Sequence, residues 1–519
     1  MTTDVLKEKP PSEGHSTEDK SWPQLEIAYS IQDGQMQEVL QDAHIQRKNL
    51  GPLTMVAVGF NICNSWVAIA SSLAIAVSAG GPVNIIYGTF FALFFYACVA
   101  VSLAELASVY PTAGGQYHFA SIVAPKKWAR GMSYVCGIVA TASWVALTAS
   151  ATLLGAQMIL ALPAFYVEGF APEGWHYFLV YQAINFILLL YNMFVMRFTP
   201  RVHDIGFYLT LSAFVAVSIA VLAVSDKQSS EYVWATFENN TGWPSAIAFL
   251  TGLSTPCFMY AGIDATLHLA ETCTNPRSAV PRALMVTVTI GFITGFVFSV
   301  AMCYGISDLE DLVNTTMPIY TLWRQALRSS AAAAIFLVAL ILILFFVVTA
   351  MQQTTSRLVH AFGRDNGLLF SSHLGQISPS LQVPIYALLC NAVCVFAAGC
   401  IYLGSPTAFT SLINTSIILQ MLSFGIPCAL LMWRGRSEEV LPRKRQFWVP
   451  GVVGWIANAG TVLGAVFELV FFCFPGAVPV TGTTMNYAAV VLAVIAVIAT
   501  VNWFAHARKH YNGPRIVMD

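Results

Sequence analysis

Gly59-Phe-Asn-Ile-Cys-Asn-Ser-Trp66 sits inside an apolar run from Leu53 to Ala79, and Ser254-Thr-Pro-Cys-Phe-Met-Tyr-Ala-Gly-Ile-Asp264 sits inside a second from Pro244 to about Leu269. Each run is long enough to cross a bilayer, yet each carries small and polar residues at mid-depth, and the second adds Pro256 and Gly262. A helix in lipid must satisfy its own backbone groups. Unwound backbone at that depth is tolerated where it lines a cavity, and a pair of interrupted crossings in corresponding halves of a chain is the pattern of a transporter's midplane site. These two stretches therefore predict broken helices that meet around a solute.

The rest of the chain fits a membrane setting. Of 519 residues, 57% are hydrophobic and 10% charged, against about 25% charged in a soluble domain. The formal net charge of −1 gives no sign of a nucleic-acid partner; the lipid bilayer is the expected surround. Twelve apolar segments approach the roughly 20 residues needed to span: 53–79, 82–106, 131–161, 176–196, 205–225, 244–269, 283–306, 331–357, 384–403, 407–432, 451–474 and 487–505. The expected fold class is all-α integral membrane with twelve transmembrane helices. Residues 1–48 are polar, lack a secretory h-region and read as a largely disordered tail, with 35–48 able to form a short amphipathic helix.

Basic residues set the orientation. With the N-terminus inside, 22 of the 25 Lys and Arg fall on the cytoplasmic side, and only Lys227, Arg324 and Arg328 fall outside. Both termini are expected in the cytosol. The sequons Asn239-Asn-Thr241 and Asn314-Thr-Thr316 then lie in outer loops, while Asn414-Thr-Ser416 is inside a span. The eleven cysteines show no C-x-x-C or Cys/His spacing and read as small buried residues. No metal site or cofactor is expected. Neither a P-loop nor a G-x-S-x-G or H-E-x-x-H motif occurs, so the sequence supports neither an ATP-driven pump nor an enzyme.

Ionisable residues inside a membrane are costly and point to function. Asp264 follows the second break directly. It can bind a substrate ammonium group, take up a proton, or cap the half-helix that restarts there. His268, at i+4, shares its face and is read either as a proton relay or as a packed, hydrogen-bonded side chain. Glu271 is expected to pair with Arg277 or Arg282, Glu105 to make an inner-gate hydrogen bond, and Glu468, in the eleventh span, to have no transport role. Asn61, Cys63, Asn64, Ser65 and Trp66 of the first break, and Phe258, Tyr260, Gly262 and Asp264 of the second, form the candidate substrate-binding set with Trp144. Trp66, Phe258, Tyr260 and Trp144 can surround a cationic head group through cation–π attraction. Half-helix N-termini suit a carboxylate and freed carbonyls suit a cation, so an amino acid matches both ends of such a site, and a choline-like ligand matches its aromatic and acidic side.

Several longer motifs carry a resemblance: Glu105-Leu-Ala-Ser-Val-Tyr-Pro-Thr-Ala-Gly-Gly-Gln-Tyr117, Gly262-Ile-Asp-Ala-Thr-Leu-His-Leu-Ala-Glu271 continuing through Asn275-Pro-Arg-Ser-Ala-Val-Pro-Arg282, Ser356-Arg-Leu-Val-His-Ala-Phe-Gly-Arg-Asp-Asn-Gly367, Phe471-Phe-Cys-Phe-Pro475 with Pro479-Val-Thr481, Met485-Asn-Tyr487, and Arg508-Lys-His-Tyr-Asn-Gly-Pro514. Over about residues 40–515 the chain resembles fungal members of the amino acid–polyamine–organocation superfamily, in the amino acid/choline branch that includes GABA and choline permeases. The resemblance implies a LeuT-type fold with residues 49–432 as core, inverted repeats 53–225 and 244–432, two extra helices within 433–505, and a cytoplasmic tail 506–519. It also implies that Asn64, Ser65 and Trp66 belong to the first break, that Phe258 meets substrate, and that Asp264 stands where some relatives carry a proton-sensitive acid. Two departures are Thr272, where a second acid is common, and Gly363, where Ala is usual.

The function so implied is secondary active uptake of a small nitrogenous solute (an amino acid, GABA or choline) by alternating access, with Asp264, Glu105 and His268 as coupling or gating residues. The resemblance favours the proton as driving ion; the plasma membrane is expected over the vacuolar membrane, with no targeting address in the sequence. Thr354, Thr355 and Ser356 offer oxygen ligands to sodium, which leaves that ion open. The alternative is a non-transporting nutrient receptor on the same fold.

Overall fold

The computed structural model describes residues 50–195, 199–482 and 484–515; the expected disordered tail and the short amphipathic helix at 35–48 lie outside them. Helices dominate. Strand is confined, among the described residues, to an antiparallel pair, β1 (Ala79–Gly80) with β2 (Glu238–Asn239). This pair ties the end of the first crossing to the loop that enters the sixth.

In chain order the principal helices are α1 (Pro52–Cys63), α2 (Ser65–Ser78), α3 (Gly81–Val109), α4 (Gln116–Val123), α5 (Lys126–Tyr166), α6 (Gly174–Phe194) and α7 (Thr199–Val224). The second half repeats the broken opening with α8 (Ser245–Gly252), α9 (Ser254–Phe258) and α10 (Ala265–His268). It continues with α11 (Pro276–Gly305), α12 (Pro318–Leu327), α13 (Ser330–Arg364), α14 (Ile385–Gly404) and α15 (Pro406–Trp433). Two more helices follow, α16 (Gly451–Phe471) and α17 (Ala488–Asn502). Eleven stretches among the described residues are long and apolar enough to cross a membrane, with α1 and α2 together making the first. The twelfth expected crossing, at 244–269, is not among them because its longest continuous apolar helical stretch, Ser245–Phe258, is too short. Its shortness is the interruption that the sequence signalled. The chain is a multi-pass, all-α integral membrane protein.

Both breaks have local causes. In the first, the helix stops and restarts at Asn64, whose backbone sits in the left-handed region (φ 36°, ψ 60°); Asn is one of the few residues with a side chain that visits that region readily. In the second, Pro256 lies within the helical stretch that ends at Phe258, and the break follows it at 259–264, where Gly262 takes φ 85°. A Cβ on Gly262 would stand 2.5 Å from Ile62 Cγ2 and 3.3 Å from the Trp144 ring, so this position needs glycine for both its dihedral and its space.

The half-helices pair crosswise, with α9 packed on α2 and α10 on α1. That pairing sets the start of one repeat antiparallel to the start of the other. Lipid offers little hydrophobic drive for helix association, so close van der Waals approach and interhelical hydrogen bonds matter more. Gly88 of α3 lies where a Cβ would meet Pro256 at 2.5 Å, and Gly291 of α11 where one would meet Ser65 Oγ at 2.6 Å. These glycines let α3 and α11 close on the broken pair. The long α5 and α13 pack on each other and wall the opposite side. α16 lies against α3 and α15, while α17 is the most exposed of the long helices.

Candidate functional site

A narrow cleft lies between the two breaks. Ile62, Cys63, Asn64, Val67 and Ala68 come from the first crossing and Phe258 and Ala261 from the sixth; α5 adds Ala151 and Leu154, and α13 adds Leu344, Val347 and Met351. Among the described residues, no charged side chain lines it. Its polar features are Asn64, Ser71, the Cys63 thiol and the main chain around Asn64, where α2 starts with no side-chain cap. That helix start presents its positive dipole end toward the cleft.

Beside the cleft, Asp264 is 1% exposed and gathers donors from four elements. Oδ2 accepts from Gln116 Nε2 of α4 (2.5 Å) and from Trp144 Nε1 of α5 (3.0 Å), and lies 3.0 Å from His268 Nε2 of α10. Oδ1 accepts from Gln420 Nε2 of α15 (3.1 Å). Gln420 Oε1 in turn accepts the Gly262 amide proton at 2.8 Å. That backbone donor fixes the orientation of the Gln420 amide, so its nitrogen must face Asp264. One side chain thus ties the carboxyl to the positive-φ residue of the break.

The same reasoning counts protons on His268. Its Nδ1 lies 2.9 Å from the Ala113 carbonyl oxygen. A carbonyl only accepts, so Nδ1 carries hydrogen. The contact between Nε2 and Asp264 Oδ2 then requires one further proton, whether it rides on the imidazole or on the carboxyl. Removing it would set a nitrogen lone pair against oxygen lone pairs in a site with no water-facing escape. Asp264 and His268 therefore form a one-proton site.

The other candidates fall into separate surroundings. Asn64 Oδ1 accepts from Thr210 Oγ1 of α7 (2.8 Å), and Trp66 Nε1 donates to the same hydroxyl (3.1 Å). Ser65 Oγ donates to Met259 O (2.8 Å), and the Cys63 thiol to Tyr260 O (3.7 Å). Asn61 Nδ2 donates to His203 O (2.6 Å). The structure does not assemble the four expected aromatic rings around one cavity. Phe258 lines the cleft. Trp66 packs on Phe298 and Phe214, Tyr260 stacks on Tyr96 with centroids 5.1 Å apart, and Trp144 meets His268 edge-on. Trp66, Tyr260 and Trp144 are thus held by neighbouring side chains, and Phe258 alone of the four lines the cleft among the described residues.

At the end that carries the basic loops, acidic side chains seal the bundle. Glu105, fully buried, accepts from Arg436 Nη2 at 2.5 Å and from Arg445 Nη2. The expected hydrogen bond is thus a pair of charge-assisted contacts. Glu271, in the short turn after α10, pairs with Arg364 of α13 (3.2 and 3.3 Å) and accepts from the Ala113 amide (3.2 Å), so its recorded ion pair is with Arg364 rather than the expected Arg277 or Arg282. Burial pushes the Glu271 carboxyl up, but the Arg364 guanidinium outweighs it and holds the group at about 2. Asp365 accepts from Tyr117 Oη (2.8 Å) and, through its other oxygen, from the Arg515 amide (3.1 Å).

Gln116, Gln420 and Thr210 were not singled out in the sequence. Gln116 lies within a quoted motif. Gln420 is a buried amide in an apolar span, which is a readable signal, but an uncharged one.

Two interrupted helices crossing at an apolar cleft, with a protonatable pair alongside, define a membrane carrier of small solutes. The chain belongs to the amino acid permease family, whose model matches residues 50–497. It is 35% identical over 471 residues to a choline transporter of Saccharomyces cerevisiae, covering 90% of this chain and 83% of that protein. It is 30% identical over 436 residues to a putative amino acid/polyamine transporter of Macrophomina phaseolina (83% and 96%), and 30% identical over 497 residues to a swainsonine transporter of Arthroderma benhamiae (92% and 96%).

Proposed function

We propose that this permease is a proton-coupled secondary transporter that brings a small nitrogenous solute, an amino acid or an amine such as choline, into the cytosol. The observation that carries the reading is the hydrogen-bonded pair Asp264–His268, joined through Gln420 to Gly262 of the break. A proton there and a solute in the cleft act on the same segment of main chain, so each changes the free energy of the other.

Solute binding follows from the lining. Phe258 offers a ring face to a cationic head group, and the break carbonyls offer oxygen. The uncapped start of α2 offers amide protons to a carboxylate where the solute has one. The absence of a charged lining residue among the described side chains suits a solute that is neutral overall or carries one diffuse charge. Choline is the first compound to test, because one relative is named for it. The charge bias supports a cytosolic side for both termini, and with it an inner-mouth position for the Glu105, Glu271 and Asp365 seals. The plasma membrane is the proposed location.

The test uses purified full-length protein in proteoliposomes with an imposed pH gradient, acid outside. Radiolabelled choline, GABA and a set of neutral amino acids are offered in turn. Accumulation of at least one above its equilibrium level, abolished by a protonophore, is the expected result. Binding without accumulation for every compound identifies a receptor instead.

A further inference from the structure

We propose that Glu468, on the extra helix α16, is a second proton-binding site and that it acts on the break of the sixth crossing through Tyr96. The proposal deepens the transport reading above and rests on it for its consequence, though not for its test.

Glu468 lies three residues before the end of α16 and is 1% exposed. Tyr96 of α3 donates its hydroxyl to Glu468 Oε1 at 3.2 Å. Oε2 is buried and has no nitrogen or oxygen partner. The neighbouring titratable groups are the Tyr96 phenol and the Cys257 thiol of α9. Among the described residues, no Lys, Arg or His lies within ion-pair distance of this carboxyl, unlike Glu105 and Glu271. Two neutral donors do not compensate a carboxylate removed from water, and buried charges are otherwise paired. The group is therefore held as a carboxylic acid.

The surroundings connect that proton to the transport machinery. Tyr96 stacks on Tyr260, at 5.1 Å between centroids and 27° between planes. The Tyr260 carbonyl accepts the Cys63 thiol of the first break. Cys257 adjoins Phe258, which lines the cleft. Loss of the proton would place an unpaired charge against α9, and that charge can be solvated only if α3, α9 and α16 separate. Protonation thus favours the packed arrangement, and release favours an opened one. The proton comes from bulk water when this face opens and returns to water at a later opening; one O–H bond forms and later breaks, with no other bond changed.

The test is infrared difference spectroscopy on the full-length protein in lipid, which needs no solute. The wild type is expected to show a protonated-carboxyl C=O band at neutral pH. That band should be absent in Glu468→Gln, retained in Asp264→Asn, and moved in frequency in Tyr96→Phe, which keeps the ring stack and removes the hydroxyl donor. In radiolabelled choline uptake, the slope of log apparent affinity against pH should fall by up to one proton in Glu468→Gln. A C=O band unchanged by Glu468→Gln, or one lost only with Asp264→Asn, overturns the proposal. So does a band in Tyr96→Phe identical to wild type, which keeps the idea testable should Glu468→Gln fail to fold. Because the spectrum requires no transport, it stands or fails apart from the solute assignment.

Discussion

Asp264 shows how much a single carboxyl can be asked to do when four elements converge on it. Its donors come from α4, α5, α10 and α15, so any movement of the sixth-crossing break against the rest of the bundle must break some of these contacts. Asp264→Asn keeps the size but removes the charge and the one-proton pairing with His268. The variant is expected to retain counterflow exchange and to lose concentrative uptake by at least about tenfold, the effect of 1.4 kcal/mol or more in coupling; uptake at the wild-type level would remove Asp264 from the coupling step. Gly262→Ala belongs to the same scale. Its methyl would be forced against Ile62 at positive φ, a strain of order 1–3 kcal/mol, which should appear as a lowered melting temperature in detergent. The aspartate was readable in the sequence because a carboxylate in an apolar run is rare. Its partners were not, since Gln116 and Gln420 lie 148 and 156 residues away and only the fold brings them to the break.

The elements carry a different lesson. Asn64 and Gly262 mark the interruptions because their backbone limits act within a few residues, and such local causes can be read from sequence. Which way a ring faces depends on the neighbour it finds, so Trp66 and Tyr260 look like cavity residues in sequence and turn out to be held by Thr210 and Tyr96. The same applies to Glu271, whose partner Arg364 stands on a helix 93 residues further on. Pro256→Leu restores the missing donor inside the Ser245–Phe258 stretch and stiffens the joint between α8 and α9 just ahead of the break. It should lower uptake severalfold at unchanged membrane insertion, measured as initial rate per reconstituted protein. The Glu271–Arg364 tie also has a pH signature. Glu271 is held at about 2, below its value in an unfolded chain, so its contribution is present above that unfolded value and is lost as pH falls through about 2. Glu271→Gln should abolish this acid-side loss in a thermal-stability titration, at a lowered neutral-pH melting temperature because Arg364 loses its carboxylate partner.

At the scale of the molecule, the cleft lies between two crosswise pairs of half-helices, and the seal at the basic end is built from acids of α3, the sixth crossing and the end of α13 held by arginines, a tyrosine and the main chain. Glu105→Gln would leave Arg436 and Arg445, both 6% exposed, without their shared carboxylate. Orphaning buried charge costs about 3–5 kcal/mol, so the inner mouth should open more often, visible as faster labelling of a cysteine introduced at Ala261 by a membrane-impermeant reagent from the cytosolic side. The central claim is that proton and solute move together through this arrangement. The most direct measurement loads proteoliposomes with a pH-sensitive dye and follows internal acidification and radiolabelled solute in the same sample after choline or the best substrate is added. The account predicts proton entry that starts with solute addition, keeps a fixed ratio to it, and disappears in Asp264→Asn; solute accumulation with no accompanying acidification, undiminished when the pH gradient is collapsed, would contradict it.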